Sequence, residues 1–345
     1  MKKVSQIIGM MSMVALLAIG ATSCNKDNTK TVASFDFTLP AIEGESGLDE
    51  SKAYIDMIAG QMRWYEGDEM MIYSIDQDYT KSKAAVFTGE AGITGVAQAH
   101  FTGSTMQEGS EGFFAFYPAS KATTEITEGN RAYFNVGETQ THVTDLFANT
   151  ARAGLIFMDP TGFVGAATCD VIEPNVVANL KHIFGYINVR VKDTRNTGKK
   201  LKSVTITDTN MHLTGSMSIL IPELKSADLD AMKTLGENYK SNGNADAYWP
   251  AMNAKLQEIG YMSNGTGKSV TLDCSAANGV TINNSYKYFL MPLRPGALMD
   301  NFKVTLTFSD GNEDYVVNVP ADKRYISIPG FYTNVSIDLA TGLIQ

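Results

Sequence analysis

From residue 32 onward, apolar side chains recur at every second position in short runs, and each run is stopped by Gly, Asn, Asp or Pro. A period of two puts alternate side chains on opposite faces of a pleated strand, so the pattern restricts the chain to sheets with a buried face. Ser34-Phe35-Asp36-Phe37-Thr38-Leu39 is the clearest case: Phe35, Phe37 and Leu39 share one face, and Pro40 ends the run. Further runs fall at 70–74, 84–88, 97–102 and 112–117, the last stopping before Pro118. The second half continues at 183–191, 201–207, 213–221, 269–272, 286–293, 302–308, 315–319 and 335–339. Between two of these, Asp310-Gly311 marks the turn of a hairpin over 308–315.

The turn signal Glu173-Pro174-Asn175 places a domain boundary near 174, giving β-sandwich domains at 32–174 and 175–345. One stretch, 223–262, leaves the strand rhythm: Leu229, Met232 and Leu235 stand at helical spacing, and a second helix is predicted from Pro250 to Ile259. Pro250 suits a first helical turn. The expected fold class is therefore all-β, with two tandem sandwiches and a small helical or irregular insertion in the second. No short internal repeat is visible, which disfavours solenoids and propellers.

Ahead of the first strand, Lys2 and Lys3 precede an apolar run over 7–19 and then Ala21-Thr22-Ser23-Cys24. A positive start, an apolar stretch too short to span a bilayer comfortably and small residues before a cysteine read as a lipoprotein signal over 1–23, although Ala21 stands where leucine is usual. A secretory signal with an incidental Cys24 ranks second, and a buried helix third. On the first reading Cys24 is the lipidation site, and its acyl chains tether an outer-membrane lipoprotein at the cell surface. The polar residues 24–31 form the tether.

Composition removes several functional classes. The formal net charge of −9 includes Lys2 and Lys3, so the remainder is more acidic still, and nucleic acid is not an expected partner. Cys169 and Cys274 lie in different expected domains and read as two buried thiols rather than a disulfide. His100, His142, His182 and His212 show no metal-pair or catalytic spacing. Asp76-Gln77-Asp78-Tyr79-Thr80 begins like a calcium loop, but Lys81 and Phe87 occupy the positions that need glycine and a carboxylate. Gly265-Thr266-Gly267-Lys268-Ser269 lacks the earlier glycine of a phosphate loop, where Met262 stands. No Gly-x-Ser-x-Gly elbow occurs, and the carboxylate pairs Asp68-Glu69 and Glu313-Asp314 read as surface charge. No enzyme activity, metal or cofactor is expected. Tyr65, Tyr73, Tyr79, Tyr117, Trp249 and Tyr332 are candidates for stacking on sugars, and equally fit half-buried positions on strands.

Four landmarks carry a resemblance. They are Trp64-Tyr65-Glu66-Gly67-Asp68-Glu69-Met70-Met71-Ile72-Tyr73, Ala99-His100-Phe101-Thr102-Gly103, Phe114-Ala115-Phe116-Tyr117-Pro118 and Leu180-Lys181-His182-Ile183-Phe184. In this order, behind the lipoprotein signal, they resemble the fimbrillin family of Bacteroides-type bacteria, the lipoprotein-derived major, tip and anchor subunits of pili. The stretch 223–262 matches none of the landmarks.

The resemblance implies two tandem transthyretin-like β-sandwiches in a structural or adhesive pilus subunit without enzyme activity. It also implies that a trypsin-like protease removes the first strand and that a strand of a neighbouring subunit fills the vacated groove. Carried to this chain, the removable strand is 32–39. The possible processing sites are Lys52 and Arg63, with Lys52 preferred because Arg63 abuts Trp64; in family anchors neither would be cut. The donor is the segment Val335-Ser336-Ile337-Asp338-Leu339 with Leu343-Ile344, unless those residues are the last strand of their own sheet. Expected partners are other pilus subunits in a homo- or heteropolymer, the outer membrane through the lipid anchor, and a host or bacterial surface receptor. The alternative is a glycan-binding surface lipoprotein of an uptake system.

Overall fold

The computed structural model describes residues 31–40, 43–44, 63–109, 112–122, 131–142, 155–159, 175–221, 226–242, 245–263, 267–311 and 313–344. The signal segment, Cys24, Lys52 and Cys169 lie outside the described residues. The described chain is built almost wholly of strands, with two α-helices, α1 (Ser226–Asn242) and α2 (Ala245–Glu258).

The first sheet has eight strands in the order Asn175–Asn179, Thr31–Thr38, Gln98–Gln107, Lys83–Gly89, Glu69–Ser74, Phe113–Tyr117, Leu155–Asp159 and Lys181–His182. Its two outermost strands, Asn175–Asn179 and Lys181–His182, are separated in sequence by Leu180 alone, so the order closes on itself through that residue. Inside lie Val32, Phe35, Phe37, Trp64, Met70, Ile72, Phe87, Phe101, Phe113, Ala115, Val176, Ala178 and Leu180, all buried.

The second unit is a sandwich. One sheet places Gly185–Lys192 between Lys287–Leu293 and Phe331–Asp338, and Gly342–Ile344 folds back on the last of these. The other runs Tyr315–Asn318, Lys303–Phe308, Lys200–Thr207, Ser269–Asp273 and Thr139–Thr141. Ile187, Val189, Val191, Val335 and Ile337 of the first meet Val204, Ile206, Leu272, Val304 and Leu306 of the second in one core. The expected hairpin is present, Lys303–Phe308 pairing antiparallel with Tyr315–Asn318, and Gly311 takes a φ of +73° in its turn.

The units exchange strands across the boundary expected near 174. Asn175–Asn179 returns to the first sheet, parallel to Thr31–Thr38, while Thr139–Thr141 adds to the second unit beside Ser269–Asp273. Arg131–Val136 pairs with Gly215–Leu220, and this small sheet joins α1 and α2 over the outer face of the first sheet.

A third core forms there, from Met71, Tyr73, Phe114 and Phe116 below and Phe134, Ile219, Leu229, Met232, Met252 and Leu256 above. This explains why Met70-Met71-Ile72-Tyr73 and Phe113-Phe114-Ala115-Phe116-Tyr117 are apolar without interruption: each strand is buried on both faces. The insertion is thus a lid on the first sheet as well as an excursion from the second. Its helix α2 begins at Ala245, with Asp246 in the first turn, so Pro250 lies inside the helix and not at its start. Cys274 is a buried free thiol, and burial pushes its pKa up to about 12.

Candidate functional site: the seat of the opening strand

Thr31–Thr38 reads TVASFDFT, and its apolar positions are not quite alternate: Val32 and Phe35 are three apart, yet both are fully buried. A register shift between Val32 and Ser34 reconciles them, since one extra residue returns the strand to the same face. The strand lies antiparallel to Gln98–Gln107 and parallel to Asn175–Asn179, so it is flanked on both sides. Past its end, Leu39 N–H donates to Ala97 O (2.9 Å), and Thr38 O accepts from Leu180 N–H (2.9 Å).

Its inward face is aromatic. Phe35 meets Phe87 and Phe113 edge-on at centroid distances of 5.0 and 5.4 Å, and Phe37 meets Phe101 at 5.6 Å. Burying Val32, Phe35, Phe37 and Leu39 contributes roughly 6–12 kcal/mol of hydrophobic stabilisation. Removal of the strand would therefore uncover an apolar trough with two unpaired backbone edges.

The sequence landmarks build the walls of this seat. Trp64 is fully buried against Phe101 (4.7 Å) and Tyr117 (5.4 Å), and its Nε1–H donates to the carbonyl of Phe37 at 3.1 Å. Gly67, at φ +84°, makes the turn that brings Asp68 back. There Asp68 Oδ2 accepts from Tyr65 N–H (2.7 Å), and Oδ1 accepts from the Tyr117 hydroxyl (2.8 Å). Gly103 sits where a Cβ would lie 2.8 Å from Val86 O and from the Phe87 ring, so only glycine lets these strands approach. Leu180 closes the barrel, and His182 beside it is buried with Nδ1 2.7 Å from the Tyr186 hydroxyl. Burial raises the pKa of that hydroxyl.

On the outer face, His100 Nδ1–H donates to Asp36 Oδ1 (2.6 Å), and His100 Nε2 lies 3.8 Å from Glu90 Oε1. This pair was not legible as a unit in the sequence. The available signal was Asp36 itself, a charged residue at the solvent-side position between two core phenylalanines.

Of the candidate processing sites, Arg63 is half-buried and borders the seat. Its neighbour Trp64 is held by Trp64 N–H to Val96 O (2.8 Å) and by Gly95 N–H to Trp64 O (2.9 Å). The proposed donor residues Val335, Ile337 and Leu339 are buried in the core of the second unit, within and just beyond a strand parallel to Gly185–Lys192. Of the two readings given for them, this is the last strand of their own sheet.

Three of the aromatic residues considered for sugar stacking are withdrawn from the surface. Tyr73, Tyr117 and Tyr332 are buried in cores, while Tyr65 and Trp249 are half-buried and far apart in the chain. Among the described residues, no cluster of His, Cys, Asp and Glu could hold a metal ion. No helix among them is long and apolar enough to cross a membrane.

No family model and no curated protein matches the chain. Solved structures do. A protein designated a cell adhesion protein from Bacteroides uniformis aligns over 90% of this chain and 95% of its own, at 14% identity and a TM-score of 0.44. One so designated from Bacteroides ovatus covers 91% and 95%, at 14% identity and a TM-score of 0.43. The tip fimbrial protein of Porphyromonas gingivalis, with a C-terminal truncation, covers 88% and 95%, at 9% identity and a TM-score of 0.35. Such low identities and TM-scores leave the functional reading to the geometry of this chain.

Proposed function

We propose that this chain is a non-enzymatic, structural or adhesive pilus subunit, exported as a lipoprotein on Cys24 and assembled by strand exchange once its opening strand is removed. One observation carries the reading: Thr31–Thr38 is paired on both sides and plugs an aromatic trough, yet it belongs to the chain's first described segment. Its loss leaves a slot whose two backbone edges and apolar floor match what an incoming strand offers. The cut falls after Lys52, because the bonds on both sides of Trp64 hold the backbone beside Arg63. The lipid places the protein on the outer membrane and cell surface before assembly, with other pilus subunits and a surface receptor as partners.

Trypsin treatment of the full chain tests this. The expected outcome is a fragment beginning at Ala53, identified by mass spectrometry, followed by multimers that resist detergent. A trimmed chain that remains a stable monomer, without multimers, contradicts the reading. The glycan-binding alternative draws less support, because Tyr73, Tyr117 and Tyr332 are buried in cores.

A further inference from the structure

The trough beneath the opening strand does not by itself define register. Beyond the register shift at Val32/Ser34, side chains repeat with a period of two, so the part of a strand lying along Ser34–Thr38 can move by two residues and keep its ladder and its apolar face there. Something on the rim must distinguish the positions. Of all the registered pairs that the opening strand makes with its two neighbours, Asp36 with His100 is the one that joins an acid to a base. Asp36 also stands opposite Val177, which offers it no polar partner, and the remaining pairs are apolar or uncharged, as in Ser34 with Thr102 and Thr38 with Gln98. A displacement by two sets Ser34 or Thr38 against His100 and loses the 2.6 Å contact.

We infer that His100 is the specificity-determining residue of the seat, selecting an incoming strand that carries a carboxylate between two large apolar residues. The inference rests on the strand-exchange reading above and names its partner: a β-strand of another subunit with the order of Ser34-Phe35-Asp36-Phe37. Glu90, on the far side of the imidazole, makes the site hostile to a second acid placed out of register and holds the ring between two carboxylates. The chain contains the same order once more, at Ser336-Ile337-Asp338-Leu339. In its own sheet that Asp338 accepts from Ala340 N–H (3.0 Å) and Thr194 N–H (3.2 Å), so a second copy has the right chemistry but must free it first. The pair is partly exposed, with side-chain accessibilities of 36% for His100 and 25% for Asp36, so it tunes choice while the aromatic floor supplies affinity.

The test trims the full chain with trypsin in the presence of fluorescent peptides spanning residues 31–40, which lack tryptic sites, either unchanged or with Asp36→Asn. Wild-type chain is expected to take up the unchanged peptide about two- to fivefold better. His100→Glu reverses the preference, and His100→Gln, neutral and similar in size, abolishes it. Equal uptake of the two peptides by wild type, or an order unchanged in both His100 variants, overturns the inference. Uptake of neither peptide by any chain overturns strand exchange itself, and the inference with it.

Discussion

At the scale of single residues, the structure gives each landmark a physical task. Trp64 fills the barrel and holds Phe37 through its indole N–H, so Trp64→Phe leaves the carbonyl short of a donor in a buried place. The expected cost is about 1–3 kcal/mol, read from urea unfolding, with the opening strand released first. Gly103→Ala brings a methyl to 2.8 Å from Val86 O and should cost about 1–3 kcal/mol by the same measurement. His142 is a different case: burial holds its pKa below the ordinary 6.5, so the folded form stays neutral where the unfolded chain binds a proton. Stability is then unaffected well above that value and falls as the pH drops through it. His142→Phe should flatten this loss when melting is compared at about pH 7.5 and about pH 5.5. Trp64 and Gly67-Asp68 were legible in the sequence as landmarks. The Asp36 contact to His100 was not, because the two residues are 64 apart and only the pairing of their strands brings them together.

At the scale of elements, alternation located many of the strands but passed over Arg131–Val136 and Asn175–Asn179, although their burial alternates. The opening strand and the 308–315 hairpin were readable because Phe35, Phe37 and Leu39, or Asp310-Gly311, carry the signal locally. The runs at 70–74 and 112–117 showed strands but not what covers their second face, since the covering residues Phe134, Ile219 and Met232 come from remote segments. Helix α2 starts five residues before Pro250, and a proline at that depth argued for a later start. For the opening strand, Phe37→Ala should destabilise the chain by about 3–5 kcal/mol and speed its trimming by trypsin, since Phe37 is fully buried against Phe101. Trimming at an unchanged rate would mean that cleavage does not require the strand to leave its seat.

At the scale of the whole molecule, the three larger cores share strands, and the division into two units is a matter of sheets rather than of sequence. Closure of the first sheet through Leu180 and the crossing of Thr139–Thr141 into the second unit depend on long-range pairing, which no local pattern encodes. The lid formed by α1 and α2 ties the units together, as Lys181 on the first sheet meets Asp230 on α1 at 2.7 Å. Met232→Ala, in the centre of the third core, should cost about 2–5 kcal/mol and loosen the strand Phe113–Tyr117 together with the helices. The central claim is that the opening strand is a removable plug in a seat that survives it. Amide hydrogen exchange on Gln98–Gln107 and Asn175–Asn179 tests it most directly, in the chain trimmed of residues 31–40, alone and with a peptide of those residues. The account predicts that protection along both strands is lost on trimming and restored by the peptide; protection that is unchanged by trimming, or that the peptide fails to restore, would contradict it.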